Sequence, residues 1–259
     1  MIHPSAIIGK NVNIGSNVEI GPYVIIDGNV TIGNNTKIYA SSSITGNTII
    51  GESNNIFFFC SIGSIPQDLK YHGEDTYLKI GDSNTFREHC TVNSGTEGGG
   101  FNTIIGNESL FMTGVHIAHD CIVGNSVIMA NQATLGGHVI IEDNAVIGGL
   151  SAIHQFCRIG ELSMIGGMSA VENDVIPYSL AIGNRARITG LNLVGLKRAD
   201  FEKSDIHSVN NFVKNIFSSN ESIQKEINNN KDNNNPLIKK IIDFILVKSS
   251  RGLCRYEKR

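Results

Sequence analysis

The sequence predicts a mainly β fold, a parallel β-helix of six-residue repeats with a C-terminal α-helical domain. Three observations carry this expectation: an apolar residue at every sixth place over most of the chain, turn formers at fixed places between them, and a change to helical spacing after Pro177.

The period comes first. Steps of six from Ile8 reach Ile14, Ile20, Ile26 and so on to Ile62, and the frame returns at Ile80, Phe86 and Val92. Shifted by one, it then runs from Ile105 to Val171. The two long runs hold 22 apolar residues in 22 places, which a 41% hydrophobic chain would reach by chance on the order of 10⁻⁹ of the time. Six residues suit neither an α-helix nor a lone amphipathic strand; they make one short strand and one bend of a parallel β-helix. With the apolar residue counted first, the third and fourth places hold turn formers such as Ser16-Asn17, Asn34-Asn35 and Asn125-Ser126. The fifth place is small or aliphatic, as at Val12, Val18 and Ala133. Places five and one therefore face inward, place six faces outward, and places three and four form corners. Three sides close a coil of about 18 residues, so residues 18 apart stack at roughly 4.8 Å.

Cys60, Cys90, Cys121 and Cys157 all fall at fifth places, where packing rather than chemistry is expected of them. Cys254 lies outside the repeat and has no assigned role. The coil is expected over residues 1–183, with insertions near 66–77 and 94–102; loops on a rigid scaffold often carry function. The first insertion offers Gln67, Asp68 and Lys70 together.

Residues 184–259 are expected to form the helical domain. Ile206, Val209, Val213 and Ile216 keep helical spacing after a Ser204 cap, and a last helix starts at Asn235-Pro236 and stops before Gly252. An Asn-rich loop, 228–235, separates them. Such a cap would cover one open end of the coil. From residue 231 onward eight Lys/Arg face three Asp/Glu, a basic segment that would steer an acidic partner.

Composition narrows the function. With 21 basic and 24 acidic residues, a uniformly basic nucleic-acid binder is not expected. No apolar run approaches a membrane span, and the N-terminus lacks signal-peptide features. Five cysteines without a CxxC pair read as reduced thiols, pointing to a cytoplasmic protein.

The chemistry-bearing stretch is "HIAHDC", residues 116–121. His116 takes an outward place, and His119 and Asp120 take a corner. One coil on from His119 lies Gly137, and one further lies Gln155, so the three should form a column with an opening at the glycine. His138 and His154 sit beside it. Three readings compete: a zinc site built on histidines, surface histidines without a role, and acid–base machinery near neutral pH. In the last, Asp120 either orients His119 or caps the corner, and Gly137 offers a bare N–H to an oxyanion. That set suits direct acyl transfer without a covalent enzyme intermediate.

The stretches "IGPYVII", "PQDLKYHGE", "IGDSNTFRE", "HIAHDC", "GGHV", "AIHQFCRIG", "GLNLVGLKR" and "SSRGL" together resemble the UDP-N-acetylglucosamine O-acyltransferase family of lipid A biosynthesis. The resemblance spans about residue 2 to residue 253. It implies a homotrimer of left-handed β-helices with active sites between subunits. It also implies transfer of a 3-hydroxyacyl chain from acyl carrier protein to the 3-hydroxyl of UDP-N-acetylglucosamine. Carried over residue by residue, His119 resembles the general base, Asp120 its partner and Gly137 the oxyanion donor. Gln67, Asp68, Lys70, His116, His138 and Gln155 resemble sugar-nucleotide contacts; Asn192 and Arg198 resemble uridine and phosphate contacts. Gly149 and Gly167 match the acyl-chain groove. The resemblance implies no metal and no cofactor, the donor being carried on the phosphopantetheine of acyl carrier protein. The basic C-terminal segment would suit that acidic carrier.

One departure stands out: the family commonly has an arginine second in the pair before Gly-Thr, where this chain has Asn93-Ser94. That contact is missing here or supplied elsewhere. Related N-acyltransferases carry an extra domain before the coil, and hexapeptide nucleotidyltransferases a Rossmann-like one, whereas here the repeat starts at Ile2. A purely structural solenoid would leave the His–Gly–Gln column unexplained.

Overall fold

Inward-facing isoleucines decide how the chain winds. A computed structural model describes residues 1–218, 223–231 and 233–257. Within them short strands form a left-handed parallel β-helix with three flat sides. Sheet I runs from Ile7–Ile8 to Ala170–Val171, and sheet II from Val12–Ile14 to Arg158–Ile159. Sheet III runs from Glu19–Ile20 through Met164–Ile165 to Ser179–Ile182 and Arg187–Leu191.

Partners stack as the period requires: Ile7 on Ile25, Thr134 on Ala152, Ile128 on Val146. First-place residues such as Ile26, Ile44, Ile62 and Ile117 are fully buried, and Phe86 stacks on Phe111 inside the coil with centroids 4.7 Å apart. All five cysteines are free and buried. Burial pushes the Cys121 thiol up to about 12 and those of Cys157 and Cys254 to about 11, away from reactivity. Cys254, unassigned from sequence, packs against the end of the coil with its Sγ 3.1 Å from the Ala186 carbonyl.

Two kinds of polar ladder hold the coils in register. On the corner after sheet II, third-place amides donate to a side chain one coil on: Ser16 N to Asn34 Oδ1, Asp82 N to Asn107 Oδ1 and Asn125 N to Asp143 Oδ1, all 2.7 Å. The second ladder runs inside, where small or aliphatic residues were expected. Asn54 and Asn84 occupy fifth places and are fully buried. Asn84 Nδ2 donates to the Gly106 carbonyl and its Oδ1 accepts from Ser109 N, both 2.9 Å. An inward asparagine is tolerated because neighbouring backbone satisfies it. Fourth-place residues are left-handed, from Asn17 (φ 58°) to Asp120 (58°), His138 (60°) and Phe156 (66°). The ladders on either side impose a conformation that non-glycine residues otherwise avoid.

Across the insertions the register jumps and resumes: Ser61 pairs with Thr91, and Thr91 with His116. Tyr77 and Asn102, placed in the insertions by sequence, are instead first residues of the returning strands and pair with each other.

The chain end differs in detail from expectation. Arg187–Leu191, beyond residue 183, pairs antiparallel with Ser179–Ile182 and extends sheet III. Among the described residues four helices follow: α1 (Leu193–Arg198), α2 (Lys203–Ser218), α3 (Ile223–Asn229) and α4 (Pro236–Leu246). Helix α2 begins at Lys203, so Ser204 is in its first turn and not its cap; its Val209, Val213 and Ile216 are buried as spaced. Asn235 caps α4, its Oδ1 accepting from Leu237 N at 2.9 Å. Helix α4 lies on the last coils, with Lys240 bridging Glu142 and Glu161 and Arg158 over the Phe244 ring at 4.3 Å. Lys240 and Arg251, whose guanidinium donates to the Glu172 carbonyl, are thus engaged within the chain. The basic segment presents Lys231, Lys239, Lys248 and Arg255 outward. Asp232 of the Asn-rich loop and Lys258-Arg259 of the basic segment lie outside the described residues. No described helix is long and apolar enough to cross a membrane.

Candidate active site

The corner between sheets I and II carries the chemistry. Its third places hold His119, Gly137 and Gln155 on successive coils, and its fourth places hold Asp120, His138 and Phe156. His119 Nδ1 lies 2.7 Å from Asp120 Oδ2. That bond leaves Nε2 as the free ring nitrogen. Asp120 is nearly out of solvent, at 5% exposed. Burial opposes its ionisation, but hydrogen bonds from His119, the Thr96 hydroxyl and the Thr96 amide outweigh burial and hold its pKa below the ordinary carboxylate value. Asp120 therefore orients the histidine, and its backbone N–H is held by Thr103 Oγ1 at 2.8 Å.

The opening expected at Gly137 is real, and the His119 ring fills it. A Cβ at residue 137 would fall 2.5 Å from His119 Cε1 and 2.6 Å from Nε2. The amides on either side are used: Gly136 N donates to the Ile153 carbonyl and His138 N to the His119 carbonyl. Among the described residues the Gly137 amide has no acceptor. On the corner after sheet II, side chains one coil on take several of the equivalent amides; here that residue is Gln155 and does not. A bare N–H beside the imidazole is what an oxyanion needs.

His116 points outward from sheet I, its Nδ1 2.8 Å from Thr91 Oγ1. Burial, reinforced by the nearby His119, lowers its pKa. Burial also lowers that of His138; Asp120 and Asp68 oppose the shift while His119 and Lys70 add to it. Gln67, His116, His119, Gly137, His154 and Gln155 line one open cleft of about 450 Å³.

His119, Asp120 and His138 present ligand atoms within 4.8 Å of one another, the one such set among the described residues. They are the residues that could hold a metal ion, though Asp120 Oδ2 already accepts from His119 and from Thr96.

Other expected residues lie elsewhere in the chain. Asn192 caps α1, accepting from Gly195 N at 3.0 Å and donating to the Leu162 carbonyl at 2.8 Å, on the corner between sheets II and III. Arg198 is exposed in the last turn of α1. Gly149 and Gly167 stack on the third corner, between sheets III and I. Cβ atoms there would meet nothing closer than 3.2 and 3.4 Å, whereas at Gly148 and Gly166 they would clash at 2.5 and 2.4 Å. The pair, lacking side chains, leaves a shallow furrow beside exposed Leu150 and Met168. Asn93 and Ser94 are buried and face the first insertion: Asn93 Nδ2 donates to the Ile65 carbonyl at 3.0 Å, and Ser94 Oγ lies 3.0 Å from Thr76 Oγ1.

Sequence reasoning missed three neighbours. Phe156 stacks on His138 with centroids 4.4 Å apart, and counting 18 from His138 would have found it. Thr103 was visible as a polar residue at a fifth place, one coil below Cys121. Thr96 had no signal beyond lying in an insertion.

Comparison with known proteins agrees with this geometry. Residues 174–254 match the family model described as UDP-N-acetylglucosamine O-acyltransferase, domain 2, and residues 102–137 match bacterial transferase hexapeptide repeats. The chain is 47% identical over 253 residues to the acyl-[acyl-carrier-protein]–UDP-N-acetylglucosamine O-acyltransferase of Aliarcobacter butzleri, covering 97% of each. It is 46% identical to that of Rickettsia canadensis, covering 99% of this chain and 98% of the relative. Among solved structures, UDP-N-acetylglucosamine acyltransferase from Campylobacter jejuni superposes with a TM-score of 0.93 at 40% identity, covering 99% of this chain and all of that one. The Moraxella catarrhalis O-acyltransferase gives 0.95 at 42%, covering 98% and 99%.

Proposed function

The chain belongs to the UDP-N-acetylglucosamine O-acyltransferase family, and from that premise we propose that it moves a 3-hydroxyacyl chain from acyl carrier protein to the 3-hydroxyl of UDP-N-acetylglucosamine by direct transfer, the first step of lipid A biosynthesis. His119 is the general base. With its Nδ1–H donated to Asp120, Nε2 accepts the proton of the sugar hydroxyl as the oxygen attacks the thioester carbonyl. The negative charge that develops on the carbonyl oxygen is met by the Gly137 N–H. Collapse breaks the C–S bond, and the imidazolium returns its proton to the departing thiolate of the carrier's phosphopantetheine. No protein nucleophile and no bound cofactor is needed. The single observation that carries this reading is the buried His119–Asp120 pair laid against an unpartnered Gly137 amide.

Substrate contacts follow from the same cleft. Gln67, Asp68, Lys70, His116, His138 and Gln155 hold the sugar nucleotide, and the furrow at Gly149 and Gly167 takes the acyl chain. Between the two corners the outer face of sheet I carries His116 and then only small residues, Thr134, Ala152 and Ala170, a shelf on which substrate can lie. Asn192 and Arg198 lie on neither corner, so one chain does not complete the site. A homotrimer with sites between subunits brings these surfaces together, and fully exposed Leu69 between Asp68 and Lys70 suits a loop that docks on a neighbour. The outward basic residues near the C-terminus face the acidic carrier. The protein works in the cytoplasm, where both substrates are dissolved or carrier-bound.

The test offers the purified protein UDP-N-acetylglucosamine with 3-hydroxyacyl carrier proteins of several chain lengths and reads products by mass spectrometry. One length should dominate, and His119→Ala should cut its transfer on the order of 10²-fold to 10⁴-fold. Absence of product with every donor overturns the reaction; undiminished transfer by His119→Ala overturns the base.

A further inference from the structure

The second insertion touches the catalytic pair directly. Thr96, at 4% exposed, grips Asp120 with two groups: its amide donates to Oδ1 at 2.7 Å and its hydroxyl to Oδ2 at 2.6 Å. Oδ2 also accepts from His119 Nδ1, so one carboxylate oxygen joins threonine and imidazole. Gly99 closes over the same carboxylate, since a Cβ there would lie 2.0 Å from Asp120 Cγ. The loop is tied at both ends: Ser94 N donates to the Ser64 carbonyl and Phe101 N to the Thr96 carbonyl. Glu74 of the first insertion reaches it too, accepting from His72 N at 2.8 Å and from Glu97 N at 3.5 Å.

We infer that Thr96 is a positioning residue for acyl transfer: from the second insertion it fixes the Asp120 carboxylate, and through it the direction of the His119 ring. The inference rests on His119 being the base. A carboxylate with two free torsions can turn away from its histidine, and three short charge-assisted donors at fixed points prevent that. The threonine meets no substrate; it acts through Asp120. Removing the hydroxyl takes one of those fixed points away from Oδ2, the oxygen that also holds His119.

The experiment is a double-mutant cycle on the full-length protein, with Thr96→Val, Thr96→Ser, Gly99→Ala, His119→Ala and His119→Ala/Thr96→Val. Thr96→Val should lower kcat on the order of 10-fold to 100-fold with KM for UDP-N-acetylglucosamine little changed, as expected for a displaced catalytic group. Thr96→Ser should restore most of the rate. Gly99→Ala, which pushes the same carboxylate from the same loop, should lower kcat likewise. Adding Thr96→Val to His119→Ala should cost nothing further. Wild-type kcat in Thr96→Val overturns the proposal, as does a serine variant as impaired as the valine one. If Thr96→Val fails to fold, Thr96→Ser and Gly99→Ala decide: normal kcat in Gly99→Ala overturns it. Full activity of His119→Ala would instead overturn the base itself, a separable failure.

Discussion

Gly136 and Gly137 are adjacent, yet a methyl group added to each should do different things. At residue 137 it would strike the His119 ring, a movable side chain, at 2.5 Å; at residue 136 it would strike the Gln155 backbone N at 2.8 Å. Gly137→Ala should therefore leave the thermal midpoint nearly unchanged while kcat falls about 100-fold, since the imidazole is displaced by roughly an ångström. Gly136→Ala should lower the midpoint, because the backbone ladder must shift. Paired measurements of kcat and melting separate the two, and equal loss of stability in both would refute the distinction. The histidines make a second prediction. Burial lowers the folded-state pKa of His116 and His138 from the ordinary 6.5, so the unfolded chain takes up protons first as pH falls. The stability they contribute is whole above pH 6.5 and is lost as pH drops through their lowered values. The thermal midpoint should decline from neutral pH toward about 5, and His116→Gln/His138→Gln should flatten that decline. A double variant with an unchanged slope would show that other groups govern it.

Among elements, the two polar ladders perform one task in different solvents. Asn84 is sealed inside, and Asn84→Ala would strand the Gly106 carbonyl and the Ser109 amide away from water, at a cost of about 2 to 4 kcal/mol. Asn107 makes a similar bond to the Asp82 amide on an exposed corner, where water replaces it, so Asn107→Ala should cost under about 1 kcal/mol. Thermal or denaturant melting of the pair checks the ranking. The same contrast explains what could be read from the sequence. A fixed period converts residue number into position, so the stacking of His119, Gly137 and Gln155 followed from counting alone, as did the burial of Cys60, Cys90, Cys121 and Cys157. Asn54 and Asn84 broke the small-or-aliphatic rule because their partners are backbone groups, which carry no sequence signature. Insertions escape the count altogether. Nothing in "SGTEGGGFN" says that its threonine meets an aspartate 24 residues on. The α2 start failed for a local reason: a serine in the first turn looks like a cap wherever helical spacing alone sets the boundary.

At the scale of the whole molecule, the residues expected in the site lie on three different corners of the coil. His119 and the first insertion lie on one corner, Gly149 and Gly167 on the second, and Asn192 on the third, with Arg198 in the helix it caps. If sites form between subunits of a trimer, His119 of one copy works with Arg198 of another. Two inactive variants should then rescue each other. His119→Ala and Arg198→Ala, each purified alone, should show little transfer at limiting UDP-N-acetylglucosamine, and each should elute at three times the 28.0 kDa chain mass. Unfolded together at equal amounts and refolded, or co-expressed with two tags, they should assemble at random. A site is then intact only when its base-bearing subunit is the Arg198→Ala chain and its cap-bearing subunit is the His119→Ala chain. Each condition holds half the time, so roughly a quarter of wild-type activity should return. If both residues serve a site within one chain, every site in the mixture carries one lesion and no activity returns. The recovered fraction thus reads the assembly of the site directly, independently of which contact Arg198 makes.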